Sequence, residues 1–534
     1  MKEEKLPFKV KAIYLATALL ACLMHFYRLG SIPYGLHIDE AGMAYDAFCL
    51  ANYSVDRYLN HFPVYLINYG GGQSALYAYL TAALIRISGD VNPWIIRLPG
   101  ALIGMLGYFS GVAVIRKCMG EKWGLLSSFL LTSFPYFIMQ SRFGLDCNLL
   151  LGISTFGIWM LLKAEEKKKM IFFILAGIVW GFCYYTYALG YLGNTLFLGA
   201  VLLYWLYHKR ITWKNAFSFG IPILLMVWPL IVMLVINKFG MDEIETVLFT
   251  IPNLPGFRDS ELSFSRLEAN FWNTWKVILT KDEMPYNALG NYLTMYGLSI
   301  PFAIIGTVRI TMDLIKDIIL KKYSAYHVIA FCLYAWLLLG MFIGGSGPNI
   351  NRLNGIFFAL FFCVLYGMSY IFTTLKKWLY EKPVIEGSLK DALLTLRYPE
   401  RKLAGVIGAA YFICFLSFTY YYFNEYSRDV YPQSYFADTC KDIIDFIEVG
   451  TGEPKVVYMD APYIYYLLSA EVNPYEAGLT ETYPETYWKY VFHLPEEIDG
   501  NAIYIVRETN TDYKSRLQEM SFDVYRSGMY ECYY

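Results

Sequence analysis

Charged side chains are scarce in this chain, at 17% of 534 residues, where soluble domains carry about 25%. The charges it has nearly cancel, with 44 Lys+Arg against 45 Asp+Glu and a formal net charge of −1. That balance excludes a polybasic nucleic-acid binder and an acidic disordered tail. Cysteine is sparse as well: ten residues and no CxxC pair, which argues against a disulfide scaffold or a Cys-rich zinc module. No HxxxH or HExxH spacing marks a metal site. Fixed-period repeats and low-complexity stretches are also missing.

Apolar residues fill the space the charges leave. They make up 57% of the chain and give a mean hydropathy of +0.37, and uncharged runs of membrane-spanning length recur. The segment MKEEKLPFKVK precedes a run from Ala12 to Tyr27, and Arg28, Leu29 and Gly30 follow with no small-residue cleavage site. This reads as a retained first span with Lys11 and Arg28 snorkelling to the interfaces. Further runs lie at 98–115, 123–141, 147–162, 170–207, 216–236, 284–308, 323–351, 353–375 and 403–423. The run 170–207 is long enough for two spans, with Gly190 and Gly193 near its middle. Ser74–Ile85 is too short to span and suits an interfacial or re-entrant helix.

The distribution of basic residues fixes the count. With 74–85 held at the interface and the N-terminus inside, 25 of the 44 basic residues fall on short inside segments, as the positive-inside rule expects. Eleven spans follow, with the N-terminus cytoplasmic and the C-terminus outside. The expected organisation is a transmembrane catalytic domain, 1–423, and an extracytoplasmic α/β domain, 424–534. Outside lie the first loop, 28–97, a Pro- and charge-rich loop near 237–285, and the tail. In the tail, KVVYM (Lys455–Met459) and AIYIV (Ala502–Val506) read as strands, and Asp442–Glu448 and Tyr463–Ser469 as helices. Cys440 and Cys532 either pair across this tail or stay as two free thiols.

The functional signal sits in polar groups at the outer membrane boundary, where leaving water is expensive. Asp39 and Glu40 open a helix-like stretch in the first loop, a place the helix macrodipole also favours for acids. Arg142 and Asp146 stand four apart after the third span, a spacing that also suits a simple ion pair. Arg352 lies between two long apolar runs in Pro-Asn-Ile-Asn-Arg-Leu-Asn (348–354), and Arg97 opens the second span. Either arginine also suits headgroup snorkelling. Under one topology all six share a face. Arginine offers planar bidentate donors to phosphate oxygens, and a carboxylate takes the proton of an attacking hydroxyl.

With HIDE after the first span, RLPGALIG opening the second, SRFGLD after the third and INRLN before the tenth, the chain resembles the C-type glycosyltransferases. It is most similar to bacterial relatives of the protein O-mannosyltransferases and lipid A aminoarabinose transferases (glycosyltransferase family 39), over roughly residues 10–375. The resemblance implies a mainly α membrane fold, with interfacial helices in the first outer loop. It also implies inverting transfer from a polyprenyl-phosphate sugar to a lipid, glycan or protein acceptor outside the cell membrane. Asp39 is then the general base and Glu40 orients it or the acceptor. Arg142 and Asp146 shape the site, and Arg352 holds the lipid phosphate.

Departures from the pattern are visible. Where several relatives carry Lys or His, this chain has INYGGGQSALYAYL, with Gln73 and Ser74. Gly70–Gly72 is either a phosphate-approaching backbone or a hinge. His61 shares this loop, and Tyr187 is placed to stack on sugar or line a lipid groove, although tyrosine concentrates at interfaces anyway. The WWD signature of oligosaccharyltransferases is absent. No cofactor is implied; a divalent cation at Asp39 and Asp146 and a metal-free site are equally compatible with Arg142 nearby. A membrane polysaccharide polymerase or ligase is the alternative. A lipid-linked-sugar flippase fits less well, because the spans hold so few ionisable residues.

Overall fold

The computed structural model describes residues 6–257, 262–280, 289, 291–383, 389–394, 396, 398–430, 436–450 and 455–534. The start of the run 284–308 and parts of the loop 237–285 and of the tail lie outside these residues.

Each apolar run contains helix. The first is α1 (Phe8–Phe26). The long first loop then holds β1 (Leu36–His37), α2 (Ile38–Tyr53), the hairpin β2 (Tyr65–Leu66) and β3 (Gln73–Ser74), and α3 (Leu76–Ser88). Next come α4 (Pro93–Met119), α5 (Glu121–Ser133), α6 (Pro135–Met139) and α7 (Asn148–Lys167). The hairpin of two helices expected at 170–207 is α8 (Met170–Tyr184) and α9 (Gly190–Tyr207). It is followed by α10 (Trp213–Phe239), β4 (Ile244–Glu245), β5 (Thr250–Ile251) and α11 (Leu267–Leu279). The remaining apolar helices are α12 (Ile300–Ile319), α13 (His327–Phe342), α14 (Phe357–Glu381) and, after the short α15 (Leu389–Leu394), α16 (Pro399–Asn424). Six of the described helices are long and apolar enough to cross a membrane: α1, α4, α10, α12, α14 and α16, with α12 and α14 counted together with the turns before them.

Local chemistry sets several boundaries. Asn92 caps α4 by accepting from the Trp94 and Ile95 N–H groups at 3.0 Å, with Pro93 in the first turn, the arrangement helix starts favour. The run 123–141 is not one helix, as its apolarity suggested. Pro135 forces Phe134 to an extended ψ of 131° and splits it into α5 and α6. The run 323–351 is helical only to Phe342, because Gly345 and Gly347 take positive φ beyond it. Helix α12 runs past Val308 into residues expected to form a cytoplasmic loop. There Arg309 and Asp313 pair at 2.7 Å across one turn, and Tyr366 donates to Asp313 at 2.7 Å. Helices α12 and α14 cross almost backbone to backbone: a Cβ on Gly306 would lie 1.8 Å from the Cys363 carbonyl oxygen. Small residues serve membrane helix packing in this way.

The tail is an α/β unit. It holds α17 (Tyr426–Val430), β6 (Phe436–Ala437), α18 (Lys441–Gly450), β7 (Val457–Met459), α19 (Tyr463–Ser469) and α20 (Pro474–Ala477). Then follow β8 (Thr486–Tyr487), β9 (Tyr490–Val491), β10 (Ile503–Arg507), α21 (Thr511–Gln518), β11 (Val524–Ser527) and β12 (Tyr530–Tyr533). Six strands form one sheet in the order β11-β12-β10-β7-β9-β8, with β10, β7 and β9 mutually parallel and the outer pairings antiparallel. The strands and helices read from the tail sequence are the central ones. Cys440 and Cys532 are both buried and unpaired.

This unit docks on the first loop. Strand β6 pairs with β1 (Leu36 opposite Ala437, His37 opposite Phe436), Tyr465 donates to the Leu36 carbonyl at 2.9 Å, and Tyr45 donates to the Val472 carbonyl at 2.8 Å. Helix α2 is thereby held between the helical bundle and the tail.

Candidate active site

The acidic pair starts α2, and its two carboxylates diverge because neighbouring residues on a helix point about 100° apart. Glu40 turns inward. It is fully buried, accepts from Arg97 Nε at 2.8 Å and Nη2 at 3.1 Å, and also accepts from the N–H groups of Gly144 (2.7 Å) and His37 (3.2 Å). Arg97 donates its remaining N–H groups to the Leu29, Pro33 and Gly35 carbonyls. Asp39 turns outward, its side chain 42% exposed. Its N–H donates to His37 Nδ1 at 3.2 Å, and its Oδ1 accepts from Asn68 Nδ2 at 3.3 Å.

Asp39 faces a cavity of about 810 Å³. The cavity has a polar end lined by Asp39, Asn68, Gln73, Asp146, Asn351 and Arg352. Its other wall is apolar, with Leu189 and Leu192 at the start of α9 and Ile231, Leu234, Val235 and Phe239 on α10. Ile231 is 47% exposed and Phe239 74%, so this wall continues onto the outer surface of the bundle.

Three loops build the polar end. The β2–β3 hairpin presents Gln73, whose Oε1 accepts from Asn68 Nδ2 at 3.2 Å, so one amide bridges Gln73 and Asp39. Gly70 and Gly72 take positive φ and make the hairpin turn, and the Gly71 and Gly72 N–H groups donate to the Asn68 carbonyl. These two amides are committed inside the turn, so the glycine run does not cradle a phosphate with them. The second loop, between α6 and α7, carries Asp146. Its carboxylate accepts from the Ser74 N–H at 2.9 Å and the Cys147 N–H at 2.7 Å. Burial pushes the Asp146 carboxyl up to about 7; those two N–H groups oppose the shift, and the nearby Asp39 charge adds to it. The third loop carries Arg352, whose Nη1 donates to the Gly344 and Gly347 carbonyls at 3.1 Å. Asn354 Nδ2 donates to the Cys147 carbonyl and ties this loop to the second.

Of the residues singled out in the sequence, Asp39, Asp146, Gln73, Tyr187 and Arg352 line this one cavity. Four others do not. Glu40 and Arg97 form the buried pair just described, so neither reaches a substrate. Arg142 is fully buried and does not pair with Asp146; it donates to the Met24, His25, Tyr27 and Ile32 carbonyls and lies against the Tyr422 and Phe423 rings. These carbonyls lie at and just beyond the end of α1, where helix termination leaves acceptors unsatisfied. His61 is exposed and packs on Phe62 at 4.7 Å, away from the cavity. Sequence reasoning passed over Asn68, Asn351 and Lys238. Lys238 sits in the last turn of α10 and lines the cavity; in sequence it was only the charge that ends an apolar run. Among the described residues no group of three or more His, Cys, Asp and Glu converges as a metal site.

The comparisons with known proteins agree with this architecture. Residues 73–236 match the family model of the dolichyl-phosphate-mannose-protein mannosyltransferases. No curated protein sequence matches the chain significantly. Among solved structures, ArnT from Cupriavidus metallidurans bound to undecaprenyl phosphate superposes with a TM-score of 0.56 at 11% identity, over 98% of this chain and 97% of that one. The same enzyme in the apo state gives 0.53 at 11% identity, over 98% and 97%. The archaeal oligosaccharyltransferase AglB from Archaeoglobus fulgidus, in complex with an inhibitory peptide and a dolichol-phosphate, gives 0.50 at 11% identity over 88% of this chain and 64% of that longer one. The chain is a multi-pass membrane protein with the C-type glycosyltransferase fold, as its four motifs implied, and its residues 73–236 carry the mannosyltransferase-family pattern.

Proposed function

We propose that this protein transfers a sugar, with inversion, from a polyprenyl-phosphate-linked donor to an acceptor hydroxyl at the outer face of the cell membrane. The observation that carries the reading is the two-sided cavity. Its polar end joins a carboxylate base to Arg352, and its apolar wall, which also carries Lys238, opens along α10 onto the surface that faces lipid.

In this reading Asp39 removes the acceptor proton as its oxygen attacks the anomeric carbon. The bond to the lipid phosphate breaks on the opposite side, and the phosphate departs as a weakly basic anion. No strong general acid is needed; positive charge at the departing oxygens is. Arg352 and Lys238 supply it, and Gln73 with Asn68 orients Asp39 and the sugar. Tyr187 and the α9–α10 wall receive the first prenyl units. Inversion needs one base on the acceptor, the role given to Asp39, whereas retaining glycosidases use a second carboxylate as nucleophile. The ArnT relative's undecaprenyl phosphate and the AglB relative's dolichol-phosphate support a lipid-phosphate ligand in this fold.

Arg352→Ala tests the phosphate role. Losing charge-assisted hydrogen bonds of about 1.5–3 kcal/mol raises the donor KM by about 10–100-fold, with a smaller change in kcat. Steady-state consumption of a synthetic polyprenyl-phosphate sugar reads it, and an unchanged KM rejects the role.

Asp146 gives the reaction a pH signature. With its carboxyl titrating near 7, the rate profile of the parent carries an inflection there that Asp146→Asn lacks. An inflection that persists in the variant belongs to another group. The stability sign follows from the same shift. The folded state holds this proton above the unfolded carboxylate range, so stability falls as pH rises from about 4 to 7.

A further inference from the structure

The tail contains a second, open cavity of about 1000 Å³ that the transfer chemistry does not use. It lies where the carboxyl ends of three parallel strands emerge. Asp460 follows β7, Phe492 follows β9, and Arg507 and Asn510 end and follow β10. From β7 the chain passes to β9 on one side and then to β10 on the other. Open α/β sheets bind their ligands in a crevice at such a switch point.

The lining chemistry narrows the ligand. On the floor, Asp460 accepts from the Arg507 N–H at 3.3 Å and from Asn510 Nδ2 at 3.1 Å, and Arg507 Nε donates to the Asp460 carbonyl at 3.1 Å. The guanidinium is thus held by a backbone carbonyl, and the two lining arginines, Arg507 and Arg516, stand against three carboxylates, Asp460, Glu485 and Glu496, so the crevice has no cationic excess for a phosphate. Four aromatic rings, Tyr463, Tyr483, Phe492 and Tyr513, also line it. Rings beside mixed donors and acceptors suit a neutral molecule with apolar C–H faces and a hydroxyl rim, each hydroxyl both giving and accepting.

The crevice also adjoins the active site. Tyr69 lines the cavity of Asp39, its ring lies 5.5 Å from Tyr483 and 6.5 Å from Tyr463, and its carbonyl accepts from the Tyr483 hydroxyl at 3.1 Å. The linings of the two cavities meet at these three rings.

We infer that the crevice at the carboxyl ends of β7, β9 and β10 binds a neutral oligosaccharide, which is the acceptor whose terminal hydroxyl reaches Asp39. The acceptor role rests on the transferase reading; the binding does not.

The test uses the full-length Asp39→Asn protein without donor, so that binding is read apart from turnover. Maltohexaose, cellohexaose and chitohexaose are titrated while oxidative footprinting follows Tyr483, a ring 61% exposed in the structure. At least one sugar is expected to protect Tyr483 and to bind about 3–10-fold more weakly to Tyr483→Ala, the range of one aromatic contact. Tyr483→Phe keeps the ring and keeps the affinity. No protection by any of the three overturns the inference, as does equal affinity in Tyr483→Ala or protection by a Ser/Thr-rich peptide instead. Failure here leaves the turnover of the parent enzyme untouched, whereas failure of the transferase reading appears as no sugar transfer by the parent enzyme itself.

Discussion

Asp39→Asn is expected to lower sugar transfer by about 10²–10⁴-fold, the usual contribution of a positioned base, while the protein folds and inserts as the parent does. The structure explains why the effect separates cleanly. The Asp39 side chain is 42% exposed, and among the described residues it bonds Asn68 and faces the neighbouring His37 ring at 3.7 Å. Asparagine keeps its shape and its acceptor oxygen. What disappears is basicity at the one carboxylate that turns from α2 into the cavity. Release of polyprenyl phosphate from a labelled donor, in membranes and at matched protein levels, measures the loss. Turnover within a few-fold of the parent would remove Asp39 as the base and the mechanism with it.

Arg97→Ala should fail in a different way. Its guanidinium is fully buried and satisfies both Glu40 oxygens and three backbone carbonyls. Removing it strands the Glu40 charge, and breaking a buried pair from one side costs about 3–5 kcal/mol. That is a large part of the stability of an ordinary domain. The expected outcome is loss of monodisperse protein on size exclusion and a lower unfolding temperature. Neutralising both partners, with Glu40→Gln in the Arg97→Ala background, should cost less than the two single changes added together. If Arg97→Ala is stable and only raises the donor KM, Arg97 is a substrate ligand after all. The two neighbouring acids therefore predict opposite phenotypes, Asp39 in turnover and the Glu40–Arg97 pair in folding.

Some of this was legible because membranes write strongly in sequence. A lipid environment demands internally bonded backbone, so each uncharged run becomes helix, and every run here contains one. The tail strands Val457–Met459 and Ile503–Arg507 showed as short apolar runs for the same reason that central parallel strands do, burial on both faces. Proline 135 carried its break in plain view, yet hydropathy averages over it. The polar set was recoverable as a list of groups at one boundary. Its division into ligands and struts was not, because that depends on which way each side chain turns from its helix or loop.

Sequence by itself determined the membrane class, the apolar helices, the α/β tail and the presence of Asp39, Asp146 and Arg352 at one face. Composition and charge order act locally along the chain, and local rules suffice for these. Only the tertiary structure decided that Glu40, Arg97 and Arg142 are buried and bonded within the protein, that Asn68 bridges Asp39 to Gln73, and that Lys238 lines the cavity from the end of α10. Most of those outcomes hang on contacts between residues tens to hundreds of positions apart. The free energy of a buried charge is set by the partner that folding brings to it, and spacing along the chain carries no record of that partner.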